Sequence, residues 1–164
     1  MLRHRPGFTL IETLIYTAFV GLIMVAMTML AYTAFTVRSK VRASLILQEN
    51  MRFAAYRVAA LVTEASAIAT PAAGASTSTL VLTMPTAWQN PTSVTLASGT
   101  LYLTQGATGT AQALTSDEVT ISALSFARVS STIDSVRMAA TGKLRNASAA
   151  YASFSVTTTA SVRR

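Results

Sequence analysis

A single carboxylate, Glu12, stands at the start of a long uncharged stretch of this sequence. No charged residue occurs from Thr13 to Val37. At ~1.5 Å per residue, a helix over this run spans ~37 Å, enough to cross the ~30 Å hydrocarbon core of a bilayer. A carboxylate near lipid depth costs roughly 2.5–3.5 kcal/mol even on insertion scales. The carboxylate of Glu12 therefore needs either a polar partner or a position from which it reaches the lipid headgroups.

The residues just before this run have the properties of a protease site. Pro6 favours an extended backbone in the residue that precedes it, and Gly7 has no side chain to keep a protease from its backbone. Cleavage after Gly7 would remove a basic leader containing Arg3 and Arg5 and would keep the apolar helix. A secretory signal peptide is processed the other way, because its cleavage site follows an apolar region of about 7–15 residues.

The segment GFTLIETLI, residues 7–15, resembles the class III signal of type IV pilins and of the pseudopilins of type II secretion. In that family the prepilin peptidase, a membrane aspartyl protease, cuts between the glycine and the phenylalanine and methylates the new amino terminus. The resemblance implies cleavage between Gly7 and Phe8, N-methylation of Phe8, and a role in filament assembly for Glu12. The implied partners are this peptidase, other pilin or pseudopilin subunits, an inner-membrane assembly platform and the lipid bilayer.

Cleavage would also supply a partner for Glu12, the new amine of Phe8. Four residues of helix separate the two groups by only ~6 Å along the axis. A pair within one chain would offset the penalty of burying the charge. A pair between neighbouring chains would instead favour assembly, because the carboxylate would find its partner only in the filament. The alternative is an interfacial glutamate that reaches the headgroups and has no further role.

The rest of the chain predicts an α+β fold, with a long amino-terminal helix packed on an antiparallel sheet. The expected divisions are a leader at 1–7, a transmembrane helix at 8–37, an amphipathic helix at 38–69 and a globular β-rich domain at 70–164. Apolar residues recur three and four apart along the second helical part, which indicates one buried stripe. The stripe comprises Leu47, Met51, Ala54, Val58, Leu61 and Ala65.

Alternating patterns predict the strands of the β-rich domain. Residues 79–84 form a short strand, and residues 93–104 form a hairpin. With Ser98-Gly99 as its turn, Leu96 opposes Leu101 and Val94 opposes Leu103. The alternation changes phase within residues 118–129, which predicts a β-bulge near Ala123. Residues 136–140 and 153–162 are further strands, the last with one apolar face.

Two features narrow the resemblance to minor pilins and pseudopilins. Major pilins usually have a proline about two turns after the position of Gly21, and residues 27–30 contain none. The segments LYLTQG at 101–106 and ALTSDEVTISALSFARV at 113–129 resemble the minor pilins described as PulJ- or PilW-like. The implied function is that of a structural filament subunit without enzymatic activity.

The sequence offers little chemistry of its own. It has no cysteine, and its one histidine, His4, lies in the leader. No nucleophile with a base partner and no phosphate-binding glycine loop is visible, so we expect no catalytic residue, cofactor or metal. Asp117 and Glu118 are expected in a solvated turn rather than a calcium site. Trp88 is expected to anchor a loop on the core rather than to stack on a ligand.

The net charge of +7 bears on which side of the membrane the β domain lies. Arg38, Lys40 and Arg42 outnumber the basic residues of the leader, so the positive-inside count favours a cytoplasmic β domain. The cleavage signal requires the leader on the cytoplasmic side, so we expect inner-membrane anchoring with the β domain outside the cytoplasm, then a place in a filament or at the cell surface. A periplasm-active reporter fused after Arg164 distinguishes the two orientations.

Two other functions remain as alternatives. The first is a filament-tip module that contacts DNA or a surface through basic residues of the β domain. Those residues are Arg128, Arg137, Lys143, Arg145, Arg163 and Arg164. Few charges and no interleaved aromatics argue against nucleic acid, and steep salt dependence of binding would indicate it. The second alternative is an unrelated single-pass anchored protein.

Replacing Gly7 by a bulky residue should leave the leader attached, because the peptidase has to approach that backbone closely. In cells that contain the peptidase, immunoblots should show only the longer, unprocessed protein for the variant and the shorter protein for wild type. Production of the shorter, Phe8-starting chain from the variant would rule out this peptidase.

Overall fold

The computed structural model describes residues 9–129, 133–145 and 153–163. The predicted leader, with the cleavage site between Gly7 and Phe8, lies outside these residues. The chain consists of two compact units, Met1–Val41 and Arg42–Arg164. The long helix α1, Leu10–Glu64, begins in the first unit and ends in the second.

The predicted α+β class is confirmed, with α1 followed by antiparallel strands. A short 3-10 helix, η1, covers Ala87–Gln89. The strands in the described residues are β1 (Ala67–Thr70), β2 (Ser76–Thr77), β3 (Leu80–Thr83), β4 (Thr92–Ala97), β5 (Thr100–Gln105), β6 (Gln112–Ala113), β7 (Val119–Val129), β8 (Ser135–Leu144) and β9 (Phe154–Ser161). They form a five-stranded sheet in the order β1-β3-β4-β5-β6 and a four-stranded sheet in the order β2-β7-β8-β9.

One face of the second half of α1 packs into the core of the β-rich unit. All six residues of the predicted apolar stripe are buried. They share one cluster with inward side chains of both sheets, including Leu82, Val94, Phe126 and Met138. Asn50 connects the helix to the segment before β7, because its Oδ1 accepts the N–H of Ser116 at 3.0 Å. Burial of this stripe, which recurs every three to four residues, therefore holds the helix against the sheets.

The hairpin of β4 and β5 has the predicted register. Leu96 pairs with Leu101 and Val94 with Leu103. Ser98 and Gly99 both have positive φ, 51° and 78°, as a type I′ turn requires. The bulge expected near Ala123 is also confirmed, since the pairing of β7 with β8 shifts between Ile121 and Ala123.

The amphipathic helix is shorter than predicted and ends at Glu64 rather than at residue 69. The Ser66 N–H donates to the carbonyl of Thr83 at 2.9 Å instead of continuing the helical pattern. Ala67 then pairs with Thr83, and Ala67–Thr70 becomes the edge strand β1. Pairing with a distant strand overrides the helical propensity of this short segment.

The close approach of α1 to β8 at Gly142 can be tested by substitution. A Cβ at Gly142 would lie 2.7 Å from Sδ of Met51. Gly142→Val should therefore destabilise the protein by about 1–3 kcal/mol through overpacking. Adding Met51→Ala should offset part of that loss, giving a favourable coupling of at least about 0.5 kcal/mol. The measurement is urea unfolding of the full chain in detergent.

Tyr56→Ala is the matched control for this cycle. Tyr56 lies on the same helix and is 76% exposed, so its substitution should change stability by no more than about 0.5 kcal/mol. It should also add independently to Gly142→Val. Independent addition of Met51→Ala and Gly142→Val would contradict the helix packing described above.

Candidate assembly site at the start of the helix

The amino terminus of α1 is capped by Thr9. The Glu12 N–H donates to Oγ1 of Thr9 at 3.3 Å. The carbonyl of Thr9 accepts from the N–H groups of Glu12 at 3.1 Å and of Thr13 at 3.2 Å. Thr9 and Glu12 have the spacing of a capping box, in which a threonine is followed three residues later by glutamate. Sequence reasoning overlooked this signal, which was present in the letters TLIE.

Glu12 is exposed in the first turn of α1. A carboxylate there is stabilised by the partial positive charge of the helix amino terminus, typically by about 0.3–1 kcal/mol. That gain is smaller than the roughly 2.5–3.5 kcal/mol that a charge costs at lipid depth. The helix end alone therefore does not compensate for full burial of Glu12, and a carboxylate at that depth needs either a further partner or access to the headgroups.

The segment that follows Glu12 exposes its apolar side chains in every direction. Its most apolar 18-residue window has a mean hydropathy of 2.2 and contains no buried residue. The helix is long and apolar enough to cross a membrane. The exposed large side chains between residues 10 and 37 include Leu14, Phe19, Leu22, Met24, Met27, Leu30 and Phe35.

The threonine hydroxyls of this segment are hydrogen-bonded within the helix. Each donates to a backbone carbonyl three or four residues earlier, at 2.8–3.1 Å. Because a hydroxyl bonded in this way does not require water, these threonines are compatible with lipid or with a dry helix–helix interface. The residues are Thr13, Thr17, Thr28, Thr33 and Thr36.

No family model, curated protein or solved structure matches this chain. A functional proposal for it therefore depends on its own residues and geometry.

One basic residue of the DNA-binding alternative, Arg128, is engaged within the β-rich unit. Arg128 is ion-paired with Asp134, with 2.9 Å between Nη2 and Oδ2. Its Nη1 donates to the carbonyl of Ile68, also at 2.9 Å. Arg137 and Lys143 are exposed on the outer face of β8. Arg128 therefore joins β7 to β1 rather than facing a ligand.

The remaining residues singled out from the sequence include an acidic pair. Asp117 and Glu118 lie exposed in a turn, as expected. Among the described residues, no group of three or more His, Cys, Asp or Glu side chains is placed to hold a metal ion. Arg164 lies outside the described residues, and Gly7 and Phe8 remain predictions.

The expectation that Trp88 anchors a loop on the core is wrong, because the residue is 68% exposed. It lies in the middle of η1, and none of the residues of that short helix is buried. Leu103, which lines the same depression as Trp88, is buried in the core. Large aromatic residues are buried on average, which is why the sequence alone favoured the core.

The capping role of Thr9 gives a direct test. Thr9→Ala should destabilise the first turn by about 0.5–2 kcal/mol, whereas Thr9→Ser should keep the cap. In micelles, hydrogen exchange at the Glu12 amide should be faster in Thr9→Ala than in wild type and near wild type in Thr9→Ser. Equal exchange in all three proteins would show that the threonine does not cap the helix.

Proposed function

We propose that this chain is a minor pilin or pseudopilin, a structural, non-catalytic subunit of a type IV pilus or type II secretion-like filament. Prepilin peptidase would cut between Gly7 and Phe8, and the first part of α1 would hold the processed protein in the cytoplasmic membrane. The β-rich unit would lie outside the cytoplasm. Release from the membrane into the filament would then move the apolar segment from lipid to a contact with other helices.

The observation that carries this proposal is the placement of Glu12. It is an exposed carboxylate in the first turn of a helix whose next 25 positions, Thr13–Val37, carry no charge. The capped helix end supplies about 0.3–1 kcal/mol against a penalty of roughly 2.5–3.5 kcal/mol. The amine of Phe8 in an adjacent subunit would supply the missing counter-charge, so that docking in the filament is favoured over remaining free in the membrane.

The rest of the segment supports the same proposal. Its side chains are exposed and apolar, and its threonine hydroxyls are bonded to its own backbone. Because these hydroxyls are bonded, the threonines can pass from lipid to a helix–helix contact without becoming unsatisfied. An anchor that only spans a membrane would share these properties, so the filament proposal depends on the assembly test of Glu12 below.

The nucleic-acid alternative gains no support from the β-rich unit. Arg128 forms an ion pair with Asp134 and donates a hydrogen bond to the carbonyl of Ile68. Arg137 and Lys143 alternate with residues whose side chains face the core, and the β9 partner of Arg137 is Thr159 rather than an aromatic residue. Binding of single strands relies on basic grooves combined with aromatic stacking.

Glu12→Val tests the proposal most specifically. The variant should be processed normally, because the scissile bond lies several residues away, and its helix should be more stable in lipid by up to ~2.5–3.5 kcal/mol. It should nevertheless enter filaments poorly, because the Phe8 amine of the neighbour then lies unpaired in an apolar core. Immunoblots of sheared filament and membrane fractions measure both properties.

Two further variants calibrate this experiment. Glu12→Asp should be intermediate, since it keeps the charge but shortens its reach. Thr13→Val removes the hydroxyl of the adjacent residue, which donates to the carbonyl of Leu10 within the same helix. This variant should therefore assemble like wild type. Wild-type levels of Glu12→Val in the filament fraction would mean that Glu12 does not drive docking.

A further inference from the structure

Trp88 borders a shallow depression on the β-rich unit. The depression encloses about 160 Å³. Its lining residues are Trp88, Leu103, Gln105, Gly109, Thr110 and Gln112. Drug-sized sites occupy ≈ 300–1,000 Å³, so this one has room for a single ring rather than a whole cofactor.

The backbone around Trp88 is held by hydrogen bonds on both sides. The Gln89 N–H donates to the Thr86 carbonyl at 3.0 Å, and the Asn90 N–H donates to the Ala87 carbonyl at 3.2 Å. The hydroxyl of Thr92 donates to the Gln89 carbonyl at 2.7 Å. The turn that carries Trp88 is therefore fixed to the start of β4.

A close contact with the end of β5 fixes the same turn from the other side. The Gly106 N–H donates to the Pro91 carbonyl at 2.9 Å. A Cβ at Gly106 would lie 2.5 Å from the carbonyl oxygen of Trp88, so only glycine allows this approach. Because the backbone of this turn is already fixed, binding a ligand here would not carry the additional cost of ordering a loop.

The lining combines one aromatic side chain with neutral hydrogen-bonding groups. Gln105 and Gln112 each offer a carbonyl acceptor and an NH₂ donor, and Thr110 offers a hydroxyl. None of the six lining residues is charged. The absence of Lys and Arg from this lining argues against a phosphate backbone, whose binding relies on cationic side chains.

We propose that this depression binds a sugar ring of a neutral carbohydrate. A pyranose has an apolar C–H face, which would pack on the indole of Trp88, and a rim of hydroxyls, which would exchange hydrogen bonds with the two glutamines and Thr110. A proline-rich peptide is less suited, because such peptides dock into grooves lined by aromatic residues and this lining contains one. The site does not depend on filament assembly.

The chain contains a single tryptophan, so its intrinsic fluorescence reports on this site alone. Full-length protein in detergent would be titrated with two neutral trisaccharides, maltotriose and chitotriose, up to about 10 mM, well above a Kd of 1 mM. At least one should change the emission saturably and protect Trp88 from acrylamide quenching. A linear response or none with both sugars would overturn the proposal.

Variants that keep the fluorophore identify the contacts. Gln112→Ala should weaken binding about tenfold, which corresponds to about 1.4 kcal/mol. Gln48→Ala, on α1, is the matched control and should leave it unchanged. Circular dichroism checks that both remain folded. Equal affinity in Gln112→Ala and wild type would overturn the proposal, as would a salt-sensitive response to oligo-dT without any response to sugar.

Discussion

The apolar surface of the first part of α1 has to be covered by something that the described chain does not provide. Burying one large apolar side chain is worth about 1.5–3 kcal/mol, and this segment exposes many of them in a continuous run. Monomeric soluble proteins rarely expose apolar patches of that extent. The β-rich unit has a core of its own, so the requirement falls on the helix segment. Lipid satisfies it, and so does contact with other helices.

Under this constraint, Glu12 has an observed local contact and a proposed role in assembly. Its backbone N–H donates to Oγ1 of Thr9, which caps the amino terminus of the helix. The partial positive charge of the helix amino terminus offsets only part of the cost of removing the Glu12 carboxylate from water. The cap uses only the backbone N–H of Glu12, so it does not by itself require a glutamate at this position. The unbalanced remainder of the charge penalty is what we propose to be satisfied by a neighbouring subunit.

Local and short-range patterns were enough to predict much of the β-rich unit. The turn at Ser98-Gly99 fixed the hairpin register because only a two-residue turn places Leu96 opposite Leu101. The phase change around Ala123 located the bulge for a similar reason. The helix end at Glu64 was missed because β1 exists only through its pairing with β3. Strands of two residues, such as β6, carry no periodicity to detect.

The site was less predictable than the fold. The spacing of Thr9 and Glu12 was sufficient to predict a capping box, whereas the pairing of Arg128 with Asp134 depends on how β7 and β8 are aligned. The exposure of Trp88 depends on which other side chains already occupy the core. Neither of these can be read from composition or spacing. The link from Gly7 and Phe8 to processing remains a prediction.

Mass spectrometry of the amino terminus of the protein purified from membranes tests the central claim most directly. The account predicts a chain that begins with N-methylated Phe8 and retains the whole apolar segment of α1. A chain that still begins at Met1, or one cut after the apolar segment, would contradict it.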